Sequence, residues 1–457
     1  MHNPNFTENI KHLLKEDYES FESSLNLEPP VSIRINPKKK ITNPEKKIPW
    51  CETGYYLPER PFFTFDPLFH AGVYYVQEAS SMFLEQALLT ILAKPDFPKS
   101  QIITLDLCAA PGGKSTHLLT LLPEDSLLVS NEVIRSRCTV LAENLTKWGR
   151  ANTVITQNDP KDFGRIPQFF DIILADLPCS GEGLFRKDPS ARDKWSIDQV
   201  KHCASRQRRI IRDVWESLKP GGYLIYSTCT FNTEENEENI RTLSDELGAD
   251  IIPIPVKPEW NISGALCYNL SVYRFFPHRI RGEGFFLALL QKKCQDNRYL
   301  RQDIKKTKLP AILPANLKKI LSNPEKFFFK NSGNIFAFPV NFEMEITKLL
   351  KFLNIFSAGL KLGELKGMDF VPSIALALST ELNINSYPAI ELTGEQAIIY
   401  LKRGAIDIPA NSPKGYLLVN FKNNPLGFIK NIGTRANNLY PPEWRIVTTA
   451  SCRCTSV

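Results

Sequence analysis

The chain has 457 residues and a net charge of +7, with 43% hydrophobic and 23% charged residues. That is too long for one ordinary domain and too apolar for a disordered chain. No run approaches the ~18 apolar residues of a membrane-spanning helix. The ten cysteines are scattered without a Cys-x-x-Cys pair, so no structural zinc knuckle is expected; they point to reduced thiols in a cytoplasmic setting. The N-terminus, Met1-His2-Asn3-Pro4-Asn5, begins polar, without a basic-then-apolar targeting pattern. The last two cysteines, Cys452 and Cys454, read as a frayed tail.

Residues 1–88 read as a small α+β module. Asn9-Ile10-Lys11-His12-Leu13-Leu14 begins a helix, and Val31-Ser32-Ile33-Arg34-Ile35-Asn36 alternates as a strand. The chain then turns at the basic cluster Pro37-Lys38-Lys39-Lys40. From about 100 to 293 strands and helices alternate. The spacing predicts strands over 102–107, 127–131, 153–157, 170–175, 222–228 and 284–290. It predicts helices over 114–121, 134–148, 197–218 and 234–247. Such alternation implies a parallel sheet covered on both faces.

Residues 291–330 carry eleven Lys or Arg against three acids, a local charge of +8, so the rest of the chain sums to about −1. A basic segment beside an active domain favours a polyanionic partner, although a solvated linker has the same composition. After it, Ala397-Ile398-Ile399-Tyr400, Tyr416-Leu417-Leu418-Val419-Asn420-Phe421 and Leu426-Gly427-Phe428-Ile429 read as short strands between turns, predicting a β-rich C-terminal unit.

The first strand of the alternating region leads into Leu105-Asp106-Leu107-Cys108-Ala109-Ala110-Pro111-Gly112-Gly113-Lys114-Ser115-Thr116. The glycines permit tight backbone and close ligand approach. The spacing is neither that of a Walker loop nor Gly-x-Gly-x-x-Gly, so the loop suits a ligand with an amino-acid tail. Glu132 ends the second strand, 26 residues after Asp106, where an acid accepts ribose hydroxyls. Asp159 ends the third strand, where a carboxylate takes an adenine amino group, and Asp176 ends the fourth. One such acid could simply cap a turn; the ordered series describes an adenosine-containing ligand.

Two cysteines lie at strand ends. Cys179 lies in Asp176-Leu177-Pro178-Cys179-Ser180-Gly181-Glu182-Gly183, and Cys229 in Tyr226-Ser227-Thr228-Cys229-Thr230. Open α/β sheets bind ligands at that edge, and neighbouring fourth and fifth strands would bring both thiols to one base. A thiolate added to carbon 6 of a cytosine makes carbon 5 nucleophilic toward a sulfonium methyl. Asp176 is the candidate acid beside ring nitrogen 3. The residues alone leave open which thiol attacks. Cys138 and Cys203 fit ordinary helix positions. Arg206, Arg208, Arg209 and Arg212 share one helix, in part as solvated surface; Arg186 and Lys187 are better placed to touch substrate. His278 could line the substrate side or be structural.

These segments resemble the Sun-domain family of RNA (cytosine-5) methyltransferases. The resemblance includes Gly72-Val73-Tyr74-Tyr75-Val76-Gln77-Glu78-Ala79-Ser80-Ser81-Met82, the loop from Cys108 to Lys114, Lys219-Pro220-Gly221-Gly222, Phe276-Pro277-His278 and Gly282-Glu283-Gly284-Phe285-Phe286. It implies that Cys229 is the nucleophile and that Cys179 assists release of the enzyme. It implies that Cys108, Ala109, Ala110, Pro111, Gly112, Gly113, Lys114, Glu132, Asp159 and Asp176 bind S-adenosylmethionine. Leu177 stands where the family more often has a small residue, and its side chain is expected to point away from the ligand. Gly415-Tyr416-Leu417-Leu418-Val419, Pro425-Leu426-Gly427-Phe428 and Leu439-Tyr440-Pro441-Pro442-Glu443-Trp444-Arg445 resemble the PUA-like region of bacterial members that modify 16S ribosomal RNA. A barrel without RNA contact is the other reading of that region.

The expectation is thus an α/β protein. An N-terminal α+β RNA-recognition-like domain (1–88) precedes a Rossmann-like methyltransferase sheet (89–293), a basic linker and accessory domain (294–385) and a PUA-like region (386–457). The expected cofactor is S-adenosylmethionine, with no metal. The expected partner is ribosomal RNA or the small subunit, with no DNA and no membrane. The competing readings are a tRNA cytosine-5 methyltransferase, an RNA-binding assembly factor without catalysis, and an amino-group methyltransferase. The last would carry an aromatic where Cys179 stands.

Overall fold

The computed structural model describes residues 4–294, 315–367 and 369–448. Arg298, Arg301, Lys305, Lys306 and Lys308 of the basic segment, with Cys452 and Cys454, lie outside the described residues.

The molecule is organised around a nine-stranded sheet. Its centre is five parallel strands in spatial order Leu218–Thr228, Phe170–Asp176, Ile103–Asp106, Leu127–Asn131 and Thr153–Thr156. These strands are almost continuously apolar because both faces are buried. Ile172 and Leu174 enter one core with Leu128, Ile225, Phe83 and Leu88. Ile173 and Ala175 enter the other with Val129, Leu224, Ile210 and Val214. The helices Gly113–Leu121, Arg135–Trp148, Ile197–Trp215 and Glu237–Leu247 follow the predicted alternation.

The purely parallel expectation is corrected at both edges. Phe285–Gln291 runs antiparallel beside Leu218–Thr228, with Phe286 opposite Thr228, and Val272–Phe275 pairs antiparallel with it. The short connection from 275 to 285 cannot hold a crossover, so a hairpin is the available geometry. At the far edge Ile355–Ala358, from the segment expected to be linker, pairs antiparallel with Thr153–Thr156.

Ahead of this sheet, helices Pro4–Leu14 and Tyr18–Ser24 precede a four-stranded antiparallel sheet in which Val31–Ile35 lies between Gly54–Leu57 and Tyr74–Val76. Beyond it, Phe327–Ser332, Asn334–Pro339, Leu360–Lys366 and Asp369–Pro372 form an antiparallel sheet. The last sheet joins Ala389–Glu391, Gly415–Phe421, Asn424–Asn431 and Ala436–Asn438.

Ala397-Ile398-Ile399-Tyr400, expected as a strand, lies in helix Gly394–Leu401. Thr393 Oγ1 accepts from the Gln396 amide while Gln396 Oε1 accepts from the Thr393 amide, a capping box that starts the helix. Ala397, Tyr400 and Leu401 are its buried positions, a helical spacing. The first and last sheets share one core, in which Ile33, Leu57 and Tyr74 join Tyr400, Leu417 and Tyr440. Lys39 ties that junction, donating to the carbonyls of Ala71, Lys147 and Leu378.

Candidate active site

Strand pairing brings the two cysteine loops together. Phe170–Asp176 and Leu218–Thr228 run parallel with Asp176 opposite Ser227, so both chains emerge side by side at the carboxyl edge. Cys179 Sγ and Cys229 Sγ are 3.2 Å apart, both free and half-buried. This is in contact but well beyond the ~2.05 Å of a disulfide. The Cys229 amide donates to Cys179 Sγ at 3.4 Å. The hydrogen bond with Cys229, then burial, push the Cys179 thiol well above its ordinary value. Two thiolates in contact would repel, and Cys179 is the sulfur that keeps its proton.

Two buried carboxylates hold these loops to each other. Glu182 accepts from the amides of Phe231 and Asn232, from the Asn232 side chain and from Trp195 Nε1. Glu235 accepts from the Ser180 amide, Asn232 and Gln207. Neither acid has a cation among these partners; convergent N–H donors satisfy each one. The backbones also touch. The Gly183 amide donates to the Cys229 carbonyl at 2.8 Å, and a Cβ on Gly183 would lie 2.6 Å from the Gly284 carbonyl oxygen.

Asp176 is held from both sides. Ser227 Oγ donates to its Oδ1 at 2.7 Å and Lys114 Nζ to its Oδ2 at 2.8 Å. Burial opposes the Lys114 charge, but Asp176 outweighs it and raises the ammonium pKa. Lys114 also lies 5.3 Å from the centre of the Phe285 ring.

The glycine loop follows Asp106. Gly112 has φ +115, a left-handed conformation that favours glycine, and it leads into helix Gly113–Leu121. The Ala109 amide donates to the Asn131 carbonyl, while Arg137 donates to the Ala110 carbonyl and Asn144 to that of Pro111. Beneath the loop Asp106 is fully buried. Ser115 Oγ donates to its Oδ2, while Oδ1 has no hydrogen-bond partner. Burial pushes its carboxyl up to about 7. Burial likewise raises the Cys108 thiol, with Asp106, Asp176 and Glu132 adding to the effect.

Of the expected acids, Asp176 and Glu132 fall within electrostatic reach of Asp106, and Asp176 also of Lys114. Glu132 accepts from the Ile134 amide and pairs with Arg137 at 3.1 Å. Asp159 caps the turn Pro160–Arg165, accepting from the Lys161 amide. Leu177 is buried in the core, away from the open edge.

One expectation is corrected. Arg186 is not a free substrate contact: its side chain is 5% exposed, pairs with Glu283 at 2.9 Å and donates to the Gly282 carbonyl. Lys187 beside it is exposed. His278, open between lining the substrate side and a structural place, has a side chain 5% exposed that packs against Phe21 and Phe276. In the arginine helix Arg208 bonds Asn239, while Arg209 and Arg212 pair with Asp213 and Glu246; Arg206 is exposed and acts electrostatically on Cys108. Cys138 and Cys203 lie on helices, as expected. Glu235 and Asn232 were not anticipated; their signal is the largely polar run from Thr230 to Asn236 just after the apolar stretch Tyr223-Leu224-Ile225-Tyr226.

Comparison with known proteins agrees with this geometry. The family model for 16S rRNA methyltransferase RsmB/F matches residues 95–291. Models for the N-terminal domain of 16S rRNA methyltransferase RsmF and for the methyltransferase RsmF PUA domain match residues 3–79 and 387–446. Ribosomal RNA small subunit methyltransferase F of Shewanella piezotolerans is 31% identical over 96% of this chain and 97% of its own. The protein of that name from Escherichia coli O9:H4 is 33% identical over 87% and 84%. Among solved structures, a methyltransferase homolog protein from Pyrococcus horikoshii is 28% identical, with TM-score 0.54 over 64% of this chain and 95% of that one. NSun6 from Pyrococcus horikoshii, solved with SFG, is 21% identical; at TM-score 0.54 over 64% and 98% it shares the fold. The chain therefore belongs to the ribosomal RNA small subunit methyltransferase F family.

Proposed function

We propose that this protein is an S-adenosylmethionine-dependent RNA (cytosine-5) methyltransferase acting on 16S ribosomal RNA. The reaction passes through a covalent bond between Cys229 and the cytosine. The observation that carries this is the 3.2 Å Cys179–Cys229 pair beside the Asp176–Lys114 ion pair, at the carboxyl edge of the sheet. An assembly factor without catalysis has no need of two contacting thiols there. An amino-group methyltransferase lacks a use for them.

The donor site has the chemistry of a cationic, amino-acid-bearing ligand. Asp106, Glu132 and Asp176 cluster around the loop, the one nearby ammonium is neutralised by Asp176, and Asp106 Oδ1 is buried without a partner. The backbone and side chains of Cys108, Ala109, Ala110, Pro111, Gly112, Gly113 and Lys114 would hold the amino-acid end, with Glu132 at the ribose and Asp159 at the adenine. S-adenosylmethionine, when bound there, supplies an electrophilic sulfonium methyl.

The base reaches the thiols unpaired or flipped from its stack. Cys229 sulfur forms a bond to carbon 6, and the electron pair of the 5,6 double bond moves toward carbon 5 and the ring. Asp176, oriented by Lys114 and Ser227, faces ring nitrogen 3, where the displaced charge collects. Carbon 5 takes the methyl as the sulfonium leaves as a neutral thioether; its proton then passes to water, and the returning electrons restore the double bond as the carbon–sulfur bond breaks and Cys229 leaves as a thiolate. Cys179, in contact with the departing sulfur, serves this release. Phosphate contacts from exposed cations such as Lys187 and from the PUA domain supply the grip on RNA. A reducing cytoplasmic setting keeps the sulfur pair as thiols.

RNA carrying 5-fluorocytidine tests the reading, because fluorine does not leave carbon 5 as a proton does. The wild type is expected to form an adduct that survives denaturation, and Cys229→Ala to form none. RNA binding without an adduct would favour the assembly factor. Bisulfite sequencing of ribosomal and transfer RNA, with and without the protein, separates the two RNA substrates.

A further inference from the structure

We propose that Arg34, in the N-terminal sheet, is a positioning residue for the methyl-donor loop, so that this sheet forms part of the donor site. The inference rests on the donor site proposed above.

Arg34 lies in strand Val31–Ile35 and is completely buried. Among the described residues no carboxylate makes a salt bridge or hydrogen bond to its guanidinium; Glu85 acts on it only through space. Nε donates to Gln77 Oε1 at 2.9 Å, Nη1 to Thr120 Oγ1 at 3.2 Å, and Nη2 to the Gly113 carbonyl at 3.2 Å and to Thr116 Oγ1. The plane rests 4.4 Å from the Trp148 ring centre. Burial depresses its pKa to about 10. A buried cation held by neutral acceptors is costly, and a well-packed apolar residue often serves stability as well or better. A role in packing alone therefore does not account for it.

The acceptors indicate another role. Three of the four, Gly113, Thr116 and Thr120, belong to helix Gly113–Leu121, which opens at the donor loop. The peptide between Gly113 and Lys114 is planar, so the Lys114 N–H lies opposite the Gly113 carbonyl. Holding that carbonyl toward Arg34 fixes the opposite direction for the Lys114 amide and the start of the side chain that pairs with Asp176. Two more residues of the same region bear on this point: a Cβ on Gly113 would lie 3.1 Å from the Tyr75 ring and 3.8 Å from Gln77. The arginine's fork of donors suits this task, and a lysine point charge meets only part of it.

The test is calorimetric binding of S-adenosylmethionine to the full chain, beside RNA binding under the same conditions. Arg34→Met is expected to weaken donor binding by about 10- to 100-fold and leave RNA affinity within about twofold, with Arg34→Lys between it and wild type. Leu88→Ala, a fully buried core change on helix Leu84–Leu92, is the control for lost stability; it should leave donor affinity within about twofold. Wild-type donor affinity in Arg34→Met, or equal losses in Arg34→Met and Leu88→Ala, overturns the inference. If Arg34→Met does not fold, Thr116→Val removes one acceptor and should still weaken the donor several-fold; no change there also overturns it. A wild type that binds no donor refutes the proposed function instead.

Discussion

Gly183→Ala tests the claim that the two catalytic loops are held at a fixed separation by backbone contact. The added methyl would sit 2.6 Å from the Gly284 carbonyl oxygen, 2.8 Å from the Cys229 carbonyl oxygen and 2.9 Å from Gly284 Cα. All three neighbours are backbone, so no side chain can swing aside. Ordinary contact begins near 3.4 Å, so the segments must part by about 0.8 Å. Overpacking of this kind costs about 1–3 kcal/mol in stability. The larger effect falls on chemistry, since a misplacement near 1 Å costs on the order of 100-fold in rate. Because Gly183 bonds the Cys229 carbonyl itself, the displaced atom is next to the nucleophile. The assay is single-turnover adduct formation with 5-fluorocytidine RNA at saturating donor, alongside thermal unfolding. A drop of about 100-fold in adduct rate is expected with the fold intact. If the variant forms the adduct at the wild-type rate, the contact does not set the position of Cys229 and the reasoning fails.

Cys179→Ser should methylate and then stall, so that enzyme–RNA adduct accumulates on ordinary cytidine RNA; a denaturing gel without a retarded band would count against a release role. Asp106 gives a pH signature. Its carboxyl has an ordinary value of 3.8 and titrates at about 7 when folded, so the folded protein keeps a proton that the unfolded chain has lost, and its contribution to stability falls as pH rises from about 4 to 7. A cationic donor favours the ionised form, so S-adenosylmethionine affinity should rise between pH 6 and 8; Asp106→Asn should flatten that rise in calorimetry, and an unchanged slope would exclude Asp106 as the cause. Arg186→Met breaks a buried pair and should destabilise the fold by about 3–5 kcal/mol in denaturant unfolding. Its RNA-binding salt slope should stay at the wild-type value, whereas Lys187→Ala should make the slope shallower by about one, if Lys187 touches a phosphate.

Much of the site is legible before folding because its residues are tied to strand ends by short sequence distances. Asp106, Glu132, Asp176, Cys179 and Cys229 all follow apolar strands closely, and a parallel sheet delivers such positions to one edge. Legibility fails where the decisive partner is distant in sequence. Arg186 reads as an exposed cation until Glu283, 97 residues later, is seen against it. A local signal can also be overridden: Ala397–Tyr400 reads as a strand from its apolar run, although the Thr393–Gln396 capping pair just before it is a helix-start signature. The hairpin of Val272–Phe275 with Phe285–Gln291 follows from a connection too short for a crossover, a constraint of length that apolar patterning does not carry.

By itself the sequence determined the parallel αβ core, the donor loop and the pair of strand-end thiols, because these depend on local periodicity and on motifs contiguous along the chain. Tertiary structure alone decided the 3.2 Å approach of the two sulfurs, the anchoring of their loops by Glu182 and Glu235, and the reach of Arg34 into the donor helix. Those contacts join residues 49 to 86 positions apart. They are set by strand order and by the need of buried polar groups for partners, neither of which is written in any one stretch of the chain.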